Sequence, residues 1–179
     1  MPDFDRTTIS EAFEASDVAA TTVECGRILE DLVADLFAQC DGIRHYQNNL
    51  LNIAGSTEID VSFWNSKKPD GFPFFPNILV AECKNTTARI GSADIRNFRA
   101  KLEDMKLDHG LLIAANGITG NQQDLRAAHD AVRTAFQAGV SIIVLTKAEI
   151  SQLEHTDDLV RLVQDKVLML TVQTRTFAN

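Results

Sequence analysis

Residues 77–84 read Asn77-Ile-Leu-Val-Ala-Glu-Cys-Lys84, an apolar run that ends with a carboxylate and an ammonium two positions apart. Side chains of a strand alternate between its faces. Ile78, Val80, Glu82 and Lys84 therefore share one face, and Leu79, Ala81 and Cys83 the other. Apolar residues on both faces predict a strand covered on both sides, as inside a layered α/β domain. Upstream, Glu58-Ile-Asp-Val-Ser-Phe-Trp64 alternates apolar and polar residues and predicts a second strand. Ile59, Val61 and Phe63 are expected on one of its faces, with Asp60 turned the other way. Side by side, two such strands would bring Asp60 within reach of Glu82.

Between them, residues 65–77 (NSKKPDGFPFFPN) hold three prolines and a glycine, which predicts a loop. Its Phe72, Phe74 and Phe75 are too apolar for a solvated loop; they are expected to pack back on the body, a binding lip being the other reading. Before these strands, Val23, Ile28, Leu29, Leu32, Val33, Leu36 and Phe37 recur at helical spacing, and the helix they predict ends near Asp41-Gly42. Residues 43–53 read as extended, with a turn at Gly55-Ser56. Residues 1–20 lack strong apolar periodicity and are expected as a loose arm or short helix ahead of a single domain over 21–179.

Downstream, the pattern predicts a helix over 95–107, a strand over 110–115, and a helix over 124–138 closed by Gly139. A strand over 140–145, a helix over 148–163 and a final strand over 167–174 follow. That order is α/β: three layers with a mixed central sheet, antiparallel at first and then parallel through right-handed crossovers.

Asp60 and Glu82 in one poorly hydrated place would repel unless one took a proton or a cation bound between them. A hard divalent ion suits such a pair, and Mg²⁺ commonly takes one or two carboxylates together with waters. The Cys83 carbonyl, between the two charged residues of 82–84, is a further oxygen ligand in this reading, and Lys84 points toward the same place.

Asp60, a gap, then Glu82-Cys83-Lys84 resembles the D-x(n)-(D/E)-x-K signature of PD-(D/E)xK nucleases. The segment Gly26-Arg-Ile-Leu-Glu30 is similar to the glycine-x-x-x-glutamate first helix of that superfamily, which implies Glu30 as a further carboxylate of the metal site. Glu82-Cys-Lys84, a helix, then Gly110-Leu-Leu-Ile-Ala-Ala-Asn-Gly-Ile-Thr119, a helix and Val140-Ser-Ile-Ile-Val-Leu145 resembles Mrr-type restriction endonuclease catalytic domains over roughly residues 24–153. The resemblance implies a restriction-endonuclease-like α/β/α fold and Mg²⁺- or Mn²⁺-dependent hydrolysis of DNA. Asp60, Glu82, Cys83 and Glu30 would hold metal, and Lys84 would assist the water. It departs from the signature where Ile59 stands in place of the proline, and where the long phenylalanine-rich loop fills the gap.

The net charge of −8 is unusual for a nucleic-acid binder, but residues 1–41 account for all of it: ten carboxylates against Arg6 and Arg27, 2 − 10 = −8. Residues 84–106 carry six basic against three acidic groups, 6 − 3 = +3, and Arg96, Arg99 and Lys101 there are candidate DNA contacts. Gly117-Ile-Thr-Gly120 lacks the GxxxxGK[ST] pattern of a nucleotide-binding loop.

Apolar runs fall short of the ~20 residues a membrane span needs, and the acidic N-terminus has no secretory pattern, so a cytoplasmic location is expected. Cys25, Cys40 and Cys83 have no CxxC spacing and His45, His109, His129 and His155 are scattered, which predicts buried thiols and surface imidazoles in place of a zinc site. Duplex cleavage calls for two sites, hence an expected homodimer with the phenylalanine-rich loop as one candidate contact. So short a chain also leaves room for a partner that supplies specificity or regulation. Two rival readings keep the same fold: a non-catalytic DNA- or partner-binding module, and a gated defence effector whose acidic N-terminal region covers the basic stripe.

Overall fold

Alternating apolar residues build a single five-stranded sheet, and the amphipathic segments between them close over both of its faces. The computed structural model describes residues 2–51, 57–85, 89–117 and 122–175. Along the chain come α1 (Arg6–Val18), α2 (Thr22–Ala38), β1 (Ile43–Leu51), β2 (Glu58–Asn65) and β3 (Ile78–Lys84). They are followed by α3 (Ser92–Asp104), β4 (His109–Ala114), α4 (Gln122–Gln137), β5 (Ser141–Thr146), the short α5 (Lys147–Ile150) and α6 (Thr156–Arg175). The strands lie in the order β1-β2-β3-β4-β5. β1, β2 and β3 pair antiparallel, whereas β3, β4 and β5 pair parallel. The expected mixed sheet between helical layers is the observed one.

β3 divides the core as its alternation predicts. Leu79, Ala81 and Cys83 join Leu111, Ile113, Ile143 and Leu145 in one apolar cluster, covered by α1, α2 and α6. On the other face Val80 meets Leu112, Ala114 and Ile142 under Ile95, Phe98 and Leu102 of α3. Burying each of these large α3 side chains contributes roughly 1.5–3 kcal/mol. Gly110 allows α3 to sit this close: a Cβ there would lie 2.6 Å from the Phe98 ring and 2.8 Å from Leu102. α2 is capped by Thr21, whose hydroxyl accepts the Glu24 N–H at 3.1 Å. The chain leaves α2 through Gly42, whose φ of 78° is open to glycine at little cost.

The phenylalanine-rich loop packs back on the body. Phe72 and Phe75 are buried, Phe72 stacks on Phe37 at 5.6 Å, and Phe74 is partly exposed. The Asn65 amide holds the loop by donating to the carbonyls of Phe72 and Pro76.

Three sequence expectations need correction. Residues 167–174 are the last turns of α6 instead of a strand. Leu159, Val160, Val163, Val167 and Leu170 all face the core at three- to four-residue spacing, and extending an existing helix adds one hydrogen bond per residue without a new nucleus. The helix expected over 148–163 is two, α5 and α6, separated at residues 151–155. Ile59 does not share a face with Val61 and Phe63: it packs in the α3-side cluster, they in the α2-side one. The reason lies at the start of β2, described below. Part of the expected extension of β1, the Gly55-Ser56 turn and most of the 117–120 loop lie outside the described residues. Among the described residues no helix is long and apolar enough to cross a membrane.

Candidate active site

β2 and β3 run as a regular ladder from Trp64↔Ile78 to Val61↔Ala81, and there the backbone pairing stops. Beyond it the Cys83 N–H donates to Asp60 Oδ2 at 2.6 Å. A side-chain carboxylate thus replaces a backbone carbonyl in the ladder, which turns Asp60 toward β3 and lets Ile59 cross to the other core. Neighbouring peptide groups of a strand point alternately to either side. Lys84 faces β4, where its carbonyl accepts the Ala115 N–H at 3.1 Å, so the Cys83 carbonyl lies on the Asp60 side with its N–H.

Glu82 is only 3% exposed, yet it is a carboxylate at the end of an apolar strand. Both its oxygens carry ammonium partners: Lys84 Nζ is 2.8 Å from Oε1 and Lys101 Nζ 2.7 Å from Oε2. A buried charge needs such pairing, since an uncompensated one would cost several kcal/mol. Lys101 also donates to the Glu58 carbonyl at 2.9 Å, so the last turn of α3 is tied to the first residue of β2.

Glu30 comes from α2, one turn after Gly26. A Cβ at Gly26 would meet Glu30 Oε1 at 3.7 Å, ordinary contact, so the glycine is not demanded by that carboxylate. Glu30 Oε2 accepts from the Asn49 amide at 3.0 Å, and the next carboxylate, Asp31, accepts from Asn48 at 3.0 Å. Asn49 adopts φ 53°, a left-handed conformation that asparagine tolerates better than most residues.

The electrostatics bind these groups together. Burial, then the Glu82 charge, pushes Asp60 up to about 6 against the Cys83 N–H and Lys101. Burial raises Glu30 above the usual carboxylate range, with Asp31, Glu58 and Glu82 adding to it and Asn49 opposing. Burial acts to lower Lys84, but the Glu82 hydrogen bond and the charges of Glu82 and Asp60 outweigh it, and the net shift is upward. Burial, with the charges of Asp60, Glu30 and Glu82 adding to it, raises the Cys83 thiol well above its ordinary value, which favours its protonated form.

Asp60, Glu82 and Glu30 therefore act on one another's charge, and Lys84 sits among them. Carboxylate oxygens are the donors a hard divalent cation prefers, and its charge would offset the burial and the mutual repulsion that raise Asp60 and Glu30. The described residues offer no ready-made set of three or more His, Cys, Asp or Glu side chains that could hold one, and both Glu82 oxygens are engaged by lysines.

The three expected DNA contacts separate. Arg96 is exposed; Arg99 pairs with Glu103 at 2.8 Å; Lys101 reaches Glu82. Sequence reading missed Lys101 as a partner of Glu82, although its place three residues after buried Phe98 already sets it beside the packed face of α3. It also missed Asn85, directly after Lys84, whose amide donates to the Cys25 carbonyl at 2.8 Å and to the Ser16 hydroxyl. These bonds fasten α1 and α2 to the end of β3. All three cysteines are unbridged, Cys40 and Cys83 buried and Cys25 partly so.

A comparison with curated proteins finds no match. The restriction endonuclease family of Mrr catalytic domains matches residues 25–153, more than half of the chain and the span that carries most of α2, all five strands and Glu30, Asp60, Glu82, Lys84 and Lys101. With a mixed sheet between two helical layers and this match, the chain belongs to the Mrr-type restriction endonuclease family.

Proposed function

We propose that this protein is a Mg²⁺- or Mn²⁺-dependent endonuclease that hydrolyses DNA phosphodiester bonds, with Asp60, Glu82 and Lys84 as its central residues and Glu30 assisting. The observation that carries the reading is the end of β3: Glu82 and Lys84 meet at 2.8 Å, and the Cys83 N–H between them donates to Asp60 at 2.6 Å. Family membership supports nuclease activity and DNA as substrate.

Asp60, Glu82 and the Cys83 carbonyl would hold the cation, with Glu30 reaching it directly or through water. A cation there supplies acidity to a bound water and offsets charge on the phosphate. Lys84, held protonated by Glu82, orients the attacking water and stabilises the negative charge that grows on the phosphate oxygens. Asp60 must be ionised to hold the cation, and in the metal-free protein its pKa is raised to about 6, so cation affinity should weaken as pH drops through about 6. Arg96, exposed on α3, remains a candidate phosphate contact.

Supercoiled plasmid incubated with Mg²⁺ tests the assignment. Wild type should nick or linearise it, whereas Lys84→Ala and Asp60→Ala should be slower by at least ~10²-fold, the scale of a lost electrostatic or acid–base group. Mutants that cut like wild type would refute the assignment.

The non-catalytic reading has one observation in its favour, the engagement of both Glu82 oxygens by lysines. Mn²⁺ binding that vanishes in Glu82→Gln would count against it. Restriction or defence as the biological role, a homodimer and a regulatory or specificity partner complete the proposal. The acidic helices α1 and α2 pack on the opposite face of the sheet from α3, so they do not lie over Arg96 and Arg99.

A further inference from the structure

We propose that Lys101 is a built-in stand-in for the divalent cation: its ammonium neutralises Glu82 in the metal-free protein and withdraws when the cation enters. The inference rests on the metal-site reading above and adds a competitor to it.

Three observations lead there. Lys101 reaches the carboxylates from a different element than Lys84, from the last turn of α3, and its Nζ lies 2.7 Å from Glu82 Oε2 and 2.9 Å from the Glu58 carbonyl. Its charge also acts on Asp60, opposing the rise that Glu82 causes, so it serves both strands that would supply metal ligands. Glu82 has no oxygen free of an ammonium, and the described residues hold no ready-made cation set.

Charge counting makes the exchange sensible. Asp60, Glu82 and Glu30 against Lys84 and Lys101 give −3 + 2 = −1. A dication added beside both lysines would make the cluster +1; a dication that replaces Lys101 gives −3 + 1 + 2 = 0. Lys101 rather than Lys84 is the one able to leave. Both side chains reach solvent, 27% exposed for Lys101 and 32% for Lys84, but Lys101 comes from the last turn of a helix outside the two strands that would supply metal ligands, and its four-carbon stem rotates away without moving the helix. Lys84 is fixed on β3, within the parallel ladder to β4. A displaced Lys101 ammonium would stand at the rim of the site, where a DNA phosphate arrives.

Removing the stand-in should expose Glu82 to the cation. The test is calorimetric titration of the full chain with Mn²⁺, without DNA, for wild type, Lys101→Met, Arg99→Met and Glu82→Gln. Methionine keeps most of the stem and removes the charge; Arg99→Met deletes a cation of the same helix that pairs with Glu103. Lys101→Met should bind Mn²⁺ at least threefold more tightly than wild type, and Arg99→Met should bind nearly as wild type. Thermal melts give a second measurement: Lys101→Met should lose stability in chelator and recover most of it in saturating Mn²⁺. A brace with no role toward the cation would lower stability in both conditions and leave affinity unchanged. Equal or weaker binding by Lys101→Met, or an equal gain in Arg99→Met, overturns the stand-in. Wild-type binding abolished by Glu82→Gln keeps the metal-site reading standing in either case; no Glu82-dependent binding in any variant removes both.

Discussion

Asp60 shows how a single side chain can be costly to the fold and, in the proposed site, useful. Its folded pKa of about 6 lies above the ordinary 3.8, chiefly through burial and then Glu82. The folded protein therefore keeps a proton that the unfolded chain releases between those values. Stability is favoured at low pH and lost as pH rises through about 6. In chelator, Asp60→Asn should be more stable than wild type at pH 8, by on the order of 1–2 kcal/mol, with the difference gone near pH 4. Urea unfolding at the two pH values measures it; a wild type more stable than the variant at pH 8 would contradict the strain assigned to this carboxylate.

At the scale of elements, the site depends on how α1 and α2 are held to β3. Ser16 of α1 is 5% exposed, and its hydroxyl lies between Cys25 Sγ and the Asn85 amide. Cys25 Sγ in turn donates to the Asn85 carbonyl at 3.4 Å. Asn85→Ala leaves the buried Ser16 hydroxyl and the Cys25 carbonyl short of a donor, at a cost of about 1–3 kcal/mol. Loosening there should also raise the rate at which a thiol reagent labels Cys25, which follows local opening and not overall stability alone. Unchanged labelling together with unchanged stability would show that the clamp is dispensable. Residues 1–20, which read from sequence as an arm or short helix, contribute Ile9 and Phe13 of α1 to the core shared with α2.

Across the whole molecule, two surfaces differ in kind. The acidic N-terminal helices cover one face of the sheet, while the outer part of the other face, on β1 to β3, is apolar. Tyr46, Trp64 and Ile78 are 62%, 43% and 50% exposed there, around a cleft of about 370 Å³ that also includes Leu50 and Met105. The proposed homodimer would find more apolar surface here than on the phenylalanine-rich loop, whose Phe72 and Phe75 are buried. Ile78→Glu should then lower the sedimenting mass toward the 19.7 kDa of one chain, and an unaltered dimer would put the contact elsewhere. Sedimentation equilibrium distinguishes the two outcomes.

Sequence alone determined the layered sheet and the Glu82–Lys84 pair, because both follow from local rules. Apolar residues at period two make strands, those at three to four make helices, and side chains two apart on a strand share a face. It could also propose Asp60 and Glu30, through a resemblance. Tertiary structure alone decided what those groups meet. The ladder breaks beyond Val61 because a carboxylate takes the Cys83 N–H, and no pattern in residues 58–64 announces that. Residues 167–174 fit a strand by composition but continue a helix, in which Val167 and Leu170 keep the helical spacing of the face packed on the core. Lys101 and Asn85 reached the site through contacts spanning 19 and 69 positions of chain, which depend on how helices dock on the sheet and not on local periodicity.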